Sequence, residues 1–280
     1  MQLDDLHPQN NQDMKKEHSG NVSALFSYLC VRMILRIMYR HITKKIVCTL
    51  WVLFLPLLLS GQDHRFAPQT NGVSVETNHY CLDFNIRHKQ PNWVYYMLTR
   101  AHIDGKTPRA SSFRDCRQGD VSSASQKDYK GSGYDKGHLC PAADMKLDRE
   151  AMNATFLMWN MSPQDPSFNR GKWAELEALV RKYIRDDSDT LFIVTGPVFL
   201  GEEKCIGMNK VTVPKLFYKV VYSPERGGIA FLLPNRKVTS PLRNWQVSID
   251  LVEVLTGIDF FPQLPLKYQD EIESQVVWWD

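Results

Sequence analysis

The sequence has no low-complexity tract, no internal repeat and almost no net charge beyond its N-terminal part. Its 280 residues carry a formal charge of +3, but residues 1–61 hold seven Lys or Arg and four Asp or Glu, and the remainder has 27 of each. With 43% hydrophobic residues, the composition is that of a globular protein with one large domain. A polyanionic partner must therefore meet a local basic face, since the charge of the whole molecule gives little attraction.

Common zinc signatures are also absent, because no CxxC or HExxH occurs and only six cysteines are present. Beyond the N-terminal part the cysteines are Cys81, Cys116, Cys140 and Cys205. This even number allows two disulfides in any of three pairings, and free, partly buried thiols are the alternative.

The N-terminal residues contain a predicted leader. Basic residues precede Ile46–Ser60, which is apolar apart from Thr49, Pro56 and the final Ser, and Gly61 follows. This order indicates a secretory signal peptide over residues 38–61, with an uncleaved membrane anchor as the alternative. It predicts export to the periplasm or the extracellular space, and contact with a membrane only if the leader is retained. Residues 1–37 are an extension of doubtful status.

Residues 62–78 are predicted to be a linker or an arm that leads into a domain over 79–280. Apolar and aromatic runs predict strands. Asp148 is predicted to cap a short helix through Phe156, and Ser248–Leu255 is predicted to be a helix that ends near Gly257. The strands are expected over 80–86, 93–103, 191–198, 211–222 and 228–233, with a long loop over 110–133. Mixed strands and helices without a regular βαβ period favour an α+β fold with a central, mostly antiparallel sheet and packed helices.

One stretch carries the chemistry: Tyr134-Asp-Lys-Gly-His-Leu-Cys-Pro-Ala-Ala-Asp144. A histidine after a glycine suits a general base, because imidazole titrates near neutral pH. Asn169, Trp173, Glu177 and Arg181 then recur every four residues, so on a helix from Gly171 to Arg185 they lie on one stripe. Amide and carboxylate oxygens are ligands for a hard cation such as Mg²⁺. Asn169 is expected to bind it directly, Glu177 to hold a coordinated water, and Arg181 to meet a phosphate.

The chain resembles the DNA/RNA non-specific endonuclease family. The matching residues are Asp135-Lys-Gly-His138, Asn160-x-x-Pro-Gln164 and Asn169-x-x-x-Trp-x-x-Leu-Glu177. Further landmarks extend the resemblance over roughly residues 79–275, in the segments Tyr95–Ala101, Phe113–Asp115, Thr195–Pro197 and Leu255–Pro262. The family includes secreted bacterial nucleases and mitochondrial endonuclease G, and its members have a ββα-metal (His-Me finger) active site. Members of the family usually have Arg at the position of Lys136. The lysine keeps the positive charge but lacks the planar guanidinium that can bind a phosphate through two hydrogen bonds.

The resemblance implies a metal-dependent endonuclease that hydrolyses DNA and RNA and leaves 5′-phosphate ends. It implies His138 as the general base, Asn169 as the direct ligand of Mg²⁺ (or Mn²⁺ or another divalent cation), and Asn160 as a residue that orients the site. Lys136 and Arg181 would contact substrate, as would Arg109 or Arg114, which are alternative candidates for the scissile phosphate. No small-molecule cofactor is expected, and a homodimer is one of the oligomeric states that the resemblance allows.

Two other classes stay open on the residues alone. A zinc-dependent hydrolase could use His138 and Cys140, although the Asn and Glu helix would then be unexplained. A nucleic-acid-binding protein with weak or no catalysis would be compatible with Lys136 in the Arg position.

Overall fold

The computed structural model of the chain describes residues 63–186, 190–201 and 203–279, so the predicted leader and the extension before it lie outside the described residues. The fold is α+β, as predicted, and is organised around one seven-stranded antiparallel sheet. Its strands, in spatial order, are β1 (Val73–Glu76), β2 (Cys81–Asn85), β3 (Gln90–Thr99), β8 (Thr190–Val198), β11 (Leu216–Ser223), β12 (Gly227–Pro234) and β13 (Gln246–Val247).

The central strands of this sheet are apolar on both faces. β8 is buried at every position after Thr190, and β11 is buried at every position after Leu216. Strands buried on both faces are near-continuous hydrophobic runs instead of alternating ones. A run of this kind with one charged residue inside it, Lys219, therefore marks an unusual position.

The described residues form six α-helices that flank or connect the strands. They are α1 (Arg100–Asp104), α2 (Gln126–Tyr129), α3 (Arg149–Ala154), α4 (Ala174–Asp186), α5 (Ile249–Thr256) and α6 (Leu266–Ser274). α4 buries Leu176, Val180, Tyr183 and Ile184 in the same hydrophobic core as the central strands. Across 63–186, 190–201 and 203–279, no helix combines the length and the apolarity that a membrane crossing requires.

Three two-stranded sheets in the same ranges lie outside the central one: β4 (Arg117–Gln118) with β5 (Val121–Ser122), β6 (Asp135–His138) with β7 (Met161–Gln164), and β9 (Cys205–Ile206) with β10 (Val211–Thr212). The β6–β7 pair and α4 make the ββα unit that contains His138.

Both predicted helices are present, and the predicted Asp148 cap is confirmed. The Asp148 carboxylate accepts from the Ala151 N–H at 2.8 Å and begins α3. The Ser248 hydroxyl accepts from the Leu251 N–H at 3.2 Å and begins α5, which ends at Gly257 in a left-handed conformation.

Several predicted boundaries were wrong. Residues 73–76, expected in a linker or an arm, form strand β1. The Tyr95 hydroxyl donates to the Asp63 carbonyl at 2.6 Å, so the segment from residue 63 packs on the domain as an arm would. The expected strand 93–103 ends at Thr99, because the Thr99 N–H donates to Nδ1 of His102 and α1 begins there. The run 211–222 is interrupted at Pro214, which has no N–H for a ladder. The loop over 110–133 contains β4, β5 and α2, and α6 was not predicted.

Candidate active site

The β6–β7 hairpin fixes the position of His138. Asp135 pairs with Gln164 and His138 with Met161, and the Leu139 N–H continues the ladder to the Asn160 carbonyl at 3.0 Å. Gly137 is required by close approach, because a Cβ there would overlap the side chain of Gln164. The glycine of the motif therefore lets the two strands pair beneath the histidine.

Asn160 holds the backbone that follows His138. Its fully buried amide accepts from the Cys140 N–H at 2.8 Å and donates to the Cys140 carbonyl at 2.8 Å and to the Thr155 carbonyl at 2.9 Å. These three hydrogen bonds occupy the Asn160 amide oxygen and nitrogen with backbone partners. Asn160 thus acts on the shape of the site and lies beneath its surface.

Asn169 lies on a π-helical turn, Phe168–Trp173, which precedes α4. The predicted straight helix from Gly171 is therefore wrong at its start, because Gly171 has φ −107° and ψ −107° and breaks the helical path. The Asn169 Nδ2 donates to Oδ2 of Asp135 at 2.9 Å. Arg170 binds the same carboxylate through two bonds of 2.9 and 2.7 Å.

Asp135 consequently joins β6 to the turn that carries Asn169. Burial alone would raise the pKa of Asp135, but the hydrogen bonds from Arg170 and Asn169 outweigh it and hold the pKa below its usual value. A carboxylate with these partners fixes the Asn169 amide so that Oδ1 is left as an acceptor.

A cavity of about 410 Å³ opens between these elements. It brings together residues from the loop before β4, from β6, from the segment after it and from the start of α4. The lining side chains include Arg109, Phe113, Asp135, Lys136, His138, Asn169, Arg170 and Glu177.

His138 is enclosed by aromatic rings at one wall of the cavity. It is 9% exposed, with its ring 4.8 Å from Phe156 edge to face and 5.7 Å from Phe113. Burial, with a smaller contribution from the positive charge of Arg109, lowers the pKa of His138 to about 3. The imidazole is therefore neutral at ordinary pH and has a lone pair to accept a proton.

Glu177 lines the cavity from α4, and burial raises the pKa of its carboxyl to about 7, while Lys219, Arg181 and Arg109 act in the opposite direction. Glu177 also belongs to the buried charge cluster, which we define as Glu177, Asp144, Arg181 and Lys219; Asp144 and Lys219 are fully buried, while Glu177 and Arg181 are half-buried. Nη1 of Arg181 binds Oδ1 of Asp144 at 2.7 Å, and the Tyr96 hydroxyl donates to Oδ2 at 2.9 Å. When Glu177 is ionised, the two carboxylates balance the two cations of the cluster.

Lys219 enters the cluster from β11. It is fully buried, its Nζ lies 4.9 Å from the centre of the Trp173 ring, and no hydrogen-bond partner for Nζ lies among the described residues. Burial lowers the pKa of Lys219, and the Glu177 and Asp144 carboxylates oppose this. The ammonium is thus a buried positive charge that interacts with the Glu177 and Asp144 carboxylates.

The structure separates the two arginine candidates. Arg109 lines the cavity, with its guanidinium carbon 5.1 Å from the Phe156 ring. Arg114 lines a different cavity on the other side of the same chain segment. Lys136 also lines the site, with Nζ 4.6 Å from the Phe113 ring centre.

The structure therefore brings together His138, Asn169, Glu177, Lys136 and Arg109. Arg181 does not line the cavity, since its guanidinium is bound to Asp144 and its side chain is only 16% exposed. Because the guanidinium is bound to Asp144, the structure does not favour the expected role of Arg181 in binding a substrate phosphate. Sequence reasoning gave no role to Asp144 or Lys219, and the one available signal was the lone charge of Lys219 within an apolar strand.

The zinc alternative finds no support in the geometry. Among the described residues, the one group of three or more His, Cys, Asp or Glu with converging ligand atoms is Asp250, Glu253 and Glu273, and it contains neither His138 nor Cys140. Burial raises the pKa of Cys140 well above its usual value, so this thiol stays protonated. Cys81, Cys116, Cys140 and Cys205 are free thiols, which decides between the two predicted states of these cysteines.

Comparison with known proteins agrees with this geometry. The family model for DNA/RNA non-specific endonuclease matches residues 63–267. Nuclease C1 of Cunninghamella echinulata var. echinulata is 35% identical over 222 residues, which cover 71% of this chain and 87% of that protein. The mitochondrial endonuclease G of Homo sapiens is 31% identical over 205 residues, which cover 66% of this chain and 68% of that protein.

A solved structure resembles the fold as well. A chain in the crystal structure of the EndoG/EndoGI complex superimposes with a TM-score of 0.65 at 28% identity, over 75% of this chain and 90% of that one. The region that the family model matches includes the β6–β7 hairpin with His138 and helix α4. The chain therefore belongs to the DNA/RNA non-specific endonuclease family.

Proposed function

We propose that this nuclease hydrolyses phosphodiester bonds of DNA and RNA with His138 as general base and with Mg²⁺ held by Asn169 and, through water, by Glu177. The observation that carries the proposal is a neutral imidazole facing the same cavity as an amide and a carboxylate. A base and a cation site on one cavity are what metal-assisted attack by water requires.

The donor set fits a hard divalent cation. The Asn169 Nδ2 is used by Asp135, so the amide oxygen is available, and Glu177 adds a carboxylate on the same cavity. Oxygen ligands of this kind suit Mg²⁺ or Mn²⁺ better than zinc. When bound, the cation supplies positive charge that stabilises the phosphorane and the departing oxygen.

The residues of the chain supply the other steps. His138 takes a proton from a water molecule, and the resulting hydroxide attacks phosphorus in line with the departing 3′ oxygen. The departing 3′ oxygen takes up a proton from solvent, so the products are a 5′-phosphate and a 3′-hydroxyl. Arg109 and Lys136 bind the non-bridging oxygens, while Asn160 and the Asp144–Arg181 pair act through the groups that they position.

Little discrimination between DNA and RNA follows from such a site. The charged groups on the cavity meet the phosphate, which the two polymers share, and phosphate contacts carry no sequence information.

The test is digestion of plasmid DNA and total RNA by the full chain, with Mg²⁺ or with EDTA. We expect metal-dependent loss of both substrates by the parent and at least a hundredfold lower rate for His138→Ala, since general-base catalysis contributes about 10²–10⁴-fold. His88→Asn is the matched control, because His88 is half-buried, stacks on Phe199 and does not line the cavity. Equal rates for His138→Ala and the parent would refute the assignment of the base.

A folded parent that binds nucleic acid but does not cleave it with any divalent cation would favour the binding role. The substitution to examine then is Lys136→Arg, which restores the bidentate fork.

Export by way of residues 38–61 is part of the proposal, with the leader removed after Gly61. The basic residues followed by an apolar segment support it. Cell fractionation with N-terminal sequencing tests it, and the fractions include mitochondria because one relative is named a mitochondrial enzyme. Recovery of the protein in a soluble exported fraction with an N-terminus at residue 62 is the expected result.

A further inference from the structure

A second cavity of about 630 Å³ lies beside the active site. Its lining includes Thr77, His79, Arg114, Arg149, Asn153 and Leu157. None of these side chains has a part in the chemistry described above. Two guanidinium groups on one concave surface are suited to an anion.

The two cavities share one wall. Arg114 forms a parallel bridge with Leu157, with its N–H donating to the Phe156 carbonyl at 3.1 Å and its carbonyl accepting from Met158 at 2.9 Å. Successive side chains of extended backbone point to opposite sides. Phe113 and Phe156 accordingly pack on His138, while the next residues, Arg114 and Leu157, line the second cavity.

A second link runs through the segment before this wall. Nη1 of Arg149 donates to the Pro108 carbonyl at 3.1 Å, and the next residue, Arg109, lines the active site. Basic side chains thus continue from Arg109 into the second cavity.

The two arginine charges of this cavity, on Arg114 and Arg149, have no carboxylate partner within ion-pair distance in the described part of the chain. One acid does line the cavity: Oε1 of Glu150 accepts from Asn78 at 2.6 Å and lies 3.9 Å from Nε2 of His79. His79 is 8% exposed, and its Nε2 has no hydrogen-bond partner in the described part of the chain. With two arginines and one glutamate on its lining, the cavity keeps an excess of positive charge.

We infer that the second cavity is a phosphate subsite, in which Arg114 and Arg149 bind a backbone phosphate of the same strand whose scissile phosphate lies at His138. The inference rests on the proposed function, because it assigns the subsite to the substrate of that reaction. A substrate that extends across the shared wall gains two charge-assisted contacts that a single phosphodiester cannot make.

The test compares the parent with Arg114→Gln/Arg149→Gln on two substrates. One is bis(p-nitrophenyl) phosphate, which has a single phosphodiester, and the other is a single-stranded DNA of about 20 nucleotides. We expect kcat/KM for the oligonucleotide to fall about tenfold or more in the double variant and to be unchanged for the small substrate. The matched control is Arg87→Gln/Lys267→Gln, which removes two exposed charges that line neither cavity.

Binding gives a readout that does not depend on cleavage. In the His138→Ala background, fluorescence anisotropy of the labelled oligonucleotide is measured as a function of salt. The slope of log K against log salt should become shallower by about 0.7 for the lost phosphate contact, and the control pair should leave it unchanged.

Equal losses on both substrates would overturn the subsite, since the arginines would then act at the reaction centre or on folding. No loss on the oligonucleotide and an unchanged salt slope would overturn it as well. If the parent cleaves neither substrate, the proposed function fails, and the salt slope still decides the subsite by itself.

Discussion

The burial of His138 makes folding sensitive to acid. Its pKa is about 3 in the folded protein and near 6.5 when unfolded, so the unfolded state binds one more proton between these values. The stability present above pH 6.5 is therefore lost as the pH falls toward 3. His138→Asn removes the titrating imidazole. Between pH 6 and 4 the unfolding free energy of the variant should therefore fall with decreasing pH less steeply than that of the parent, and the two slopes should differ by about 1.4 kcal/mol per pH unit.

Urea unfolding in EDTA at several pH values measures this difference. His88→Asn serves as the comparison for a more exposed ring: burial also lowers the pKa of His88, so its profile should change in the same direction but less than that of His138→Asn. Parallel pH profiles for the parent and His138→Asn would show that the imidazole is not protected from protonation in the fold.

Lys219 and Glu177 should be coupled in stability. Lys219→Met leaves the Asp144 and Glu177 carboxylates with Arg181 as the remaining cation of the cluster, and an uncompensated buried charge costs about 3 kcal/mol or more. Adding Glu177→Gln restores the balance of charges. The double variant should then be more stable than the sum of the single effects by about 1–3 kcal/mol.

Glu175→Gln is the matched control for Glu177→Gln in this double-mutant comparison, because Glu175 lies on the same helix but is exposed and binds Lys172. Its effect should add to that of Lys219→Met. An equally additive result with Glu177→Gln would mean that Lys219 does not act on that carboxylate.

At the scale of elements, the β6–β7 hairpin depends on the contact between Gly137 and Gln164. An alanine Cβ at position 137 would overlap the buried Gln164 side chain, and overpacking of this kind costs about 1–3 kcal/mol. The strand that carries His138 must shift to relieve it, and a displacement of about 1 Å can reduce catalysis about a hundredfold. Gly137→Ala should therefore lower the DNA cleavage rate at least tenfold.

The rescue variant is Gly137→Ala/Gln164→Ala. The Gln164 amide has no hydrogen-bond partner among the described residues, so its removal loses packing and frees the space that the new methyl group at position 137 needs. Cleavage should recover most of the loss. A double variant as inactive as Gly137→Ala would show that the strand contact is not the cause.

The same elements explain how much of the site the sequence could predict. His138, Asn169 and Glu177 converge because a short hairpin and the turn after it place them by local geometry, which spacing in the chain reflects. Lys219 arrives from β11, and its neighbours depend on the order of strands across the sheet. Arg181 was assigned from helical period alone, whereas its partner Asp144 follows a separate strand. Spacing predicts which face a residue occupies, and tertiary packing decides what that face meets.

On the scale of the whole molecule, attraction of nucleic acid must be local. The chain beyond residue 61 has equal numbers of basic and acidic residues, and two of its carboxylates and two of its cations cancel within the buried charge cluster. Arg109 and Lys136 on the active-site cavity, with Arg114 and Arg149 on the second cavity, are a local group of positive charges of the kind that a polyanion needs.

The four cysteines of the domain should contribute no disulfide to its stability. Cys81 and Cys140 are buried, and burial raises the pKa of Cys81 to about 12, which suppresses the thiolate that disulfide formation requires. Dithiothreitol should therefore leave the melting temperature unchanged in the variant Cys30→Ser/Cys48→Ser. A native disulfide contributes about 2–4 kcal/mol, which corresponds to roughly 4–16 °C in a domain of this size.

A decrease of that size in the melting temperature on addition of dithiothreitol would contradict the assignment of the four cysteines as free thiols. The result also bears on export, since an oxidising compartment acts first on the exposed Cys205, while the two buried thiols are protected by the sheet and by the backbone that Asn160 holds. With four free thiols, the domain draws its stability from the hydrophobic core around the central sheet, and oxidation should be confined to Cys205 and the half-buried Cys116. Mass spectrometry after thiol labelling of the folded protein checks this, with Cys81 and Cys140 labelled only after unfolding.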